Sequence, residues 1–333
     1  MKPDISLGDV SGLGVSRAQL DALLNAHEQV TDNLLLSGAP MAAATGEAAN
    51  VLGVGVTTRP DGEGAALLIL VDRLPDAVAA TTPAPAGDVP VVYQEVGDIV
   101  AANYRNRNRP VNCGVSIAPC GLGYSGTLGC LVESNDVRYM LSNNHVLADA
   151  NRAAVGTRIS QQSGQDGGAC PADEIGALAA FVNLNFGGTS PVDAAIATIS
   201  SEVTVRPLIL RDHGVVQQLA LPVQTPSLQM NVQKSGRTTG HTHGQVNAIG
   251  VTISVSYGAQ RSTFSNAFTS VAGSGDFGLP GDSGSLITTD PRNEPTGLLF
   301  AVDAGRKFTY GNRMSDVLSE LAKLTGHPVT VVI

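Results

Sequence analysis

A chain of 333 residues, 43% hydrophobic and 15% charged, carries enough apolar material for two or three cores. Its net charge of −9 repels phosphate backbones and anionic headgroups, which argues against nucleic-acid and membrane partners. With 38 glycines and no tryptophan, it suits short strands and tight turns better than a helical bundle.

The first residues, Met1-Lys2-Pro3-Asp4-Ile5-Ser6, show no basic stretch leading into an apolar core, so a cytoplasmic setting is expected. No apolar run approaches the ~18 residues of a spanning helix. Residues 1–108 predict a small α+β domain with an accessory or regulatory role. Ser16-Arg17-Ala18-Gln19 has the form of a capping box. Leu20, Leu23, Leu24 and His27 follow at helical spacing, so a helix runs to about residue 35. Strands are expected over 51–58, 65–72 and 89–96, with a proline-bearing loop over 81–87. The stretch 103–109, with Arg105, Arg107 and Arg109 among asparagines, predicts a solvated linker. Activation cleavage after Arg105 or Arg107 is the functional alternative, since Pro110 protects Arg109.

Residues 109–333 alternate short apolar runs with turns. Segments 126–132 and 138–141 predict a hairpin that delivers His145 just past its second strand. A strand over 194–199 begins right after Asp193. Residues 244–257 alternate as one long strand or a hairpin, and 285–289 with 297–302 predict a further hairpin. Val317, Leu318, Leu321 and Leu324 recur at helical spacing, with Gly326 and Pro328 as stops. Many short antiparallel strands argue for barrels. Cys113, Cys120, Cys130 and Cys170 match no common zinc spacing and are expected as thiols, with Cys113–Cys120 the one bridge considered. His241 and His243 share a strand face, but no third ligand stands nearby, so neither metal nor cofactor is expected.

The chemistry sits in three separated segments: Ser142-Asn143-Asn144-His145-Val146, Pro191-Val192-Asp193-Ala194 and Pro280-Gly281-Asp282-Ser283-Gly284-Ser285. A serine hydroxyl becomes a useful nucleophile when an imidazole takes its proton and a carboxylate fixes that imidazole's tautomer. His145 and Asp193 stand 48 positions apart, and Asp193 and Ser283 stand 90 apart. The order His, Asp, Ser and intervals of about 45 and about 93 belong to the chymotrypsin arrangement. A lipase elbow would need glycine where Ser285 stands. Asp166, Asp173 and Asp212 are rival acids in polar, turn-like surroundings.

On these motifs, residues 111–325 resemble a trypsin-like, chymotrypsin-fold serine peptidase. Residues 142–146 are similar to the histidine motif of the bacterial HtrA branch. Lys234-Ser235-Gly236-Arg237-Thr238-Thr239-Gly240 with 280–285 resembles bacterial relatives of the plant Narrow Leaf proteins. The resemblance implies a mostly β, chymotrypsin-like double β-barrel, with barrels over about 111–205 and 222–311, and a C-terminal helix over about 313–325. It implies Ser283 as nucleophile, His145 as general base, Asp193 as its orienter, and the N–H groups of Gly281 and Ser283 as oxyanion hole. Phe277 falls near the base of the primary pocket, and Phe300 with Ala301 on the edge that meets substrate. Asp282 lacks a freed N-terminal amine to pair with. The expected function is a serine endopeptidase acting on a protein or peptide, with homo-oligomerisation left open. The alternatives are a silent or triggered peptide-binding scaffold on the same fold, and an esterase using the same residues.

Overall fold

The computed structural model describes residues 14–37, 50–71, 89–95, 104–273, 275–305 and 307–333. The chain divides into two units, Met1–Val100 and Ala101–Ile333. In the first, the Ser16 side chain accepts the Gln19 N–H while the Gln19 side chain accepts the Ser16 N–H, which starts helix α1 (Arg17–Val30). A π-helical turn, Thr31–Leu35, continues it. Strands β1 (Val51–Thr58) and β2 (Ala65–Val71) pair antiparallel, and β3 (Val91–Glu95) adds parallel to β2. Leu23, Ala26 and Val30 close this small core against Val51, Leu67, Ile69 and Val71. The expected loop over 81–87 lies outside the described residues.

The second unit opens with a stretch that keeps Arg105 and Arg107 exposed, as a solvated segment would, yet is tied at several points. Tyr104 is buried, Arg107 pairs with Asp173 at 2.8 Å, and Arg109 donates to the Gln161 carbonyl at 2.8 Å. Arg105 reaches the Arg237 carbonyl at 3.4 Å. The arginines that look solvated in sequence find acceptors on segments more than fifty residues away.

Strands β4 (Val111–Cys113), β5 (Ser116–Pro119), β6 (Gly126–Thr127), β7 (Cys130–Ser134) and β8 (Val137–Ser142) lead to the one-turn helix α2 (Asn144–Leu147). The turn between β7 and β8 places Asn135 and Asp136 at φ 49° and 60°, the twist a two-residue hairpin needs. Next come β9 (Arg158–Ser160), β10 (Glu174–Phe181), β11 (Thr189–Ser190) and β12 (Ala195–Thr198). The first sheet has the order β7-β8-β12-β10-β9-β5-β6. Leu128, just past β6, exchanges bonds with Gly114 and Val115, which lie between β4 and β5.

Strands β13 (Val205–Leu210) and β14 (Val216–Gln218) form a small sheet with β4. The second barrel is built from β15 (Asn231–Gly236), β16 (Gly240–Tyr257), β17 (Gln260–Ala272), β18 (Leu286–Thr289), β19 (Pro295–Val302) and β20 (Thr309–Arg313). Their order is β17-β16-β15-β18-β19-β20, and pairing of β17 with β20 closes it. Helix α3 (Met314–Thr325) ends at Gly326, whose φ of 73° glycine accepts readily, and β21 (Val329–Val331) returns to β7. Met314, Val317 and Leu321 of α3 join the first barrel's core. The architecture is a mostly β, chymotrypsin-like double barrel with a C-terminal helix.

The cysteine expectation is corrected. Cys120, just past β5, bridges Cys170 with their Cα atoms 6.0 Å apart, while Cys113 and Cys130 are buried thiols. Cys113 lies in β4 with its side chain turned into the core, so it cannot meet Cys120. A structural bridge persists in oxidising surroundings, which pulls against the cytoplasmic expectation.

Candidate active site

Strand β8 runs into the Asn143 N-cap of α2, so His145 is presented on a rigid strand-to-helix corner. Asp193 lies at the entry to β12, which pairs directly with β8 through Ala195↔Ser142. That adjacency brings two residues distant in sequence together. The Nδ1 of His145 is 2.6 Å from Asp193 Oδ2, and the His145 backbone N–H donates to Oδ1 at 3.2 Å. An ionised carboxylate only accepts, so Nδ1 carries the proton and Nε2 is left with a free lone pair. Asp193 is fully buried, whereas the His145 side chain is 23% exposed. The imidazole therefore faces solvent on one side and a dry, fixed charge on the other.

Asp193 is gripped on every polar group. Asn143 Nδ2 donates to its carbonyl at 2.7 Å, and its N–H donates to Asn312 Oδ1 at 2.9 Å. Tyr257 Oη donates to Oδ2 at 2.8 Å. Burial and then the Asp193 charge push the Tyr257 phenol far above its ordinary range, so it stays a donor. Asn312 and Tyr257 belong to the second barrel, so the acid is held from both.

Ser283 sits in the turn before β18, between Gly281 at φ +99° and Gly284 at φ +94°. Both angles are strained for any residue with a Cβ. A Cβ on Gly284 would collide with Ser142 Oγ and the Thr127 carbonyl, so the serine turn abuts the end of β8 three residues before His145. Thr127 N–H donates to the Ser283 carbonyl at 2.8 Å and its hydroxyl to the Gly281 carbonyl at 2.9 Å. No hydrogen bond joins Ser283 Oγ to His145 among the described residues, while His145 keeps its Asp193 contact. Such bonds are often long before substrate binds. The N–H groups of Asp282, Gly284 and Ser285 are taken by Leu279, Leu299 and Asp282 carbonyls. Those of Gly281 and Ser283 have no acceptor among the described residues.

The turn is shaped by Asp282, fully buried, whose carboxylate accepts from Leu279 N at 2.9 Å, Thr238 N at 2.7 Å, Thr239 N at 3.1 Å and Thr239 Oγ1 at 2.7 Å. Fully buried Lys234 sets its ammonium beside this carboxylate, with Nζ 3.5 Å away and donating to the Gly240 carbonyl at 2.9 Å. Burial lowers the Lys234 ammonium to about 8, against the pull of Asp282. The lysine stood in the quoted 234–240 motif, but its partner was invisible there. For Tyr257 and Asn312 no sequence signal existed.

Phe277 is packed in the second barrel's core with Val232, Phe268 and Leu299, so its ring fills that core instead of an open pocket base. Phe300 is buried, its ring centroid 4.8 Å from Phe264, while Ala301 is partly buried. Ala301 and Val302 pair with β20 on one side, and the bonds toward β18 stop at Leu299 and Ser285. The rival acids are engaged elsewhere. Burial works to raise Asp166, but Arg237, Ser116 and Ser163 outweigh it and hold the carboxyl low. Asp173 holds Arg107, and Asp212 accepts from Tyr104 at 3.2 Å. His241 lies 3.4 Å from Asp212 and His243 lies 2.7 Å from Asp290. Burial, with Arg211 and His243 adding, takes His241 down to about 4, so that contact is no ion pair at neutral pH, and its Nε2 lies 2.8 Å from Gln233 Oε1. No group of three metal-ligating side chains occurs among the described residues.

No family model and no curated protein matches the sequence. The chain is similar to solved proteases. Thermobifida fusca protease A shares 19% identity over 67% of this chain and 99% of that one, with a TM-score of 0.48. The Nocardiopsis protease shares 17% over 67% and 99%, also at 0.48. Cellulomonas bogoriensis chymotrypsin shares 16% over 67% and 99%, at 0.46. Among the described residues no helix is long and apolar enough to cross a membrane.

Proposed function

We propose that this chain is a serine endopeptidase, in keeping with the motif resemblance to HtrA-branch and Narrow Leaf-related peptidases. The observation that carries the reading is the 2.6 Å contact of His145 Nδ1 with a fully buried Asp193, beside a serine turn that leaves two N–H groups open. In this reading His145 Nε2 takes the Ser283 proton as Oγ attacks the scissile carbonyl carbon. The resulting oxyanion lies against the Gly281 and Ser283 N–H groups. Collapse expels the amine, which takes the proton from His145, and leaves an acyl group on Ser283. Water, deprotonated by the same imidazole, releases the acid. An extended protein or peptide substrate would pair with the Phe300–Val302 edge through its main chain.

The test is labelling by a fluorophosphonate, which traps a serine activated by a neighbouring base. Wild type should label and Ser283→Ala should not. Absence of labelling anywhere from about pH 6 to 9 would overturn the assignment.

A further inference from the structure

Tyr257 occupies the last-paired position of the longest hairpin in the second barrel, where it pairs with Gln260. Its hydroxyl reaches Asp193 Oδ2 at 2.8 Å, the same oxygen that holds His145 Nδ1 at 2.6 Å. The ring lies 5.8 Å from the imidazole and 5.9 Å from Phe186, centroid to centroid, and is wedged against Phe264. Phe300, behind Phe264 in the same cluster, offers no hydroxyl to the carboxylate. Tyr257 is thus the one side chain among the described residues, besides His145, that hydrogen-bonds the Asp193 carboxylate.

We propose that Tyr257 is a positioning residue for the proton relay, acting through Asp193 by way of the β16–β17 hairpin. The proposal rests on the endopeptidase reading above. A buried carboxylate bound by one imidazole alone can rotate about its Cβ–Cγ bond and presents its whole charge to that imidazole. A phenol on Oδ2 fixes the plane of the carboxylate and takes up part of its charge. The two titratable groups hydrogen-bonded to Asp193 are then His145 from α2 and Tyr257 from the hairpin. Asn143 and Asn312, which hold its backbone, are neutral amides.

Tyr257→Phe removes the donor and keeps the ring packing, so folding should survive. Two consequences are expected for peptide hydrolysis. The kcat should fall about tenfold with KM within about twofold, because the carboxylate is then free to turn out of the plane that aligns the imidazole. The acid limb of the pH–rate profile should move to higher pH, because a carboxylate relieved of the phenol favours the imidazolium more strongly. A second readout needs no turnover. In a Ser283→Ala background, the low-field NMR resonance of the His145 Nδ1 proton should move when Tyr257→Phe is added. A displaced resonance supports the proposal even if Ser283 never labels, so the two readings fail separately. If kcat falls while the acid limb and the resonance both stay put, Tyr257 only packs, and the proposal is overturned. An unchanged kcat with an unchanged resonance overturns it equally.

Discussion

Asp193 loses nothing in volume if it becomes asparagine, yet it then offers His145 either a weaker acceptor or a donor. The imidazole would adopt the wrong tautomer, so Asp193→Asn should lower kcat by about four orders of magnitude while the fold persists, read by peptide hydrolysis beside circular dichroism. Lys234 sets a second expectation. Its folded value of about 8 lies below the ordinary lysine value of about 10.4, so the folded protein gives up this proton first. Between those pH values the unfolded chain binds more protons, and linkage makes this group's contribution to stability rise with pH. Wild type should therefore gain on Lys234→Met in urea midpoint from about pH 8 to about 10.5, and parallel curves would refute the shift. At neutral pH the same substitution leaves buried Asp282 without its ammonium and should cost about 3–5 kcal/mol. His145 and Asp193, which the structure brings into contact, were marked out in sequence by short, distinctive segments, and Ser283 by another. Tyr257, Lys234 and Asn312 were not, since each acts on a partner more than forty positions away. For Phe277, position relative to Ser283 locates a backbone, and packing sets the ring among Val232, Phe268 and Leu299.

Elements were easier to read than their partners. The strand expected over 244–257 exists as part of β16, but only the structure shows that β17 doubles it and that its tip reaches Asp193. The 133–136 turn was legible because asparagine and aspartate tolerate positive φ, as Asn135 and Asp136 do. The arginine stretch is exposed, as its composition suggests, but composition could not show that Arg107 meets one particular acid, Asp173. The serine turn is the element most sensitive to a single methyl group. At Gly284 a Cβ meets both an unfavourable φ of +94° and the atoms of Ser142 and Thr127. Gly284→Ala should thus displace Ser283 from the end of β8, slow fluorophosphonate labelling by about a hundredfold, and destabilise by about 1–3 kcal/mol. Labelling at the wild-type rate would show that the turn has room the structure does not give it.

On the scale of the whole second unit, the two barrels are joined by polar links that also shape the candidate site. Asp166, between β9 and β10, receives Arg237 Nε at 2.9 Å, and the Arg237 backbone N–H donates to Thr127 Oγ1 at 3.0 Å. The next residues, Thr238 and Thr239, hold Asp282 and through it the serine turn. The loop that carries Asp166 is pinned to the end of β5 by Cys120–Cys170 as well. Sequence spacing could not reveal that pairing, because four cysteines allow three connectivities and only the fold brings two Cα atoms to 6.0 Å. The bridge closes a loop of 50 residues, and the chain-entropy account assigns such a loop about 4 kcal/mol. A Cys120→Ser, Cys170→Ser double variant removes the bridge without leaving a stray thiol. Its urea midpoint should fall by roughly that free energy divided by the m-value. Labelling at Ser283 should slow in native buffer as well, since the Asp166–Arg237 link then sits on a looser loop. A lowered midpoint with full labelling would confine the bridge to stability, and an unchanged midpoint would mean the loop is already fixed by Arg237 and Arg107 alone.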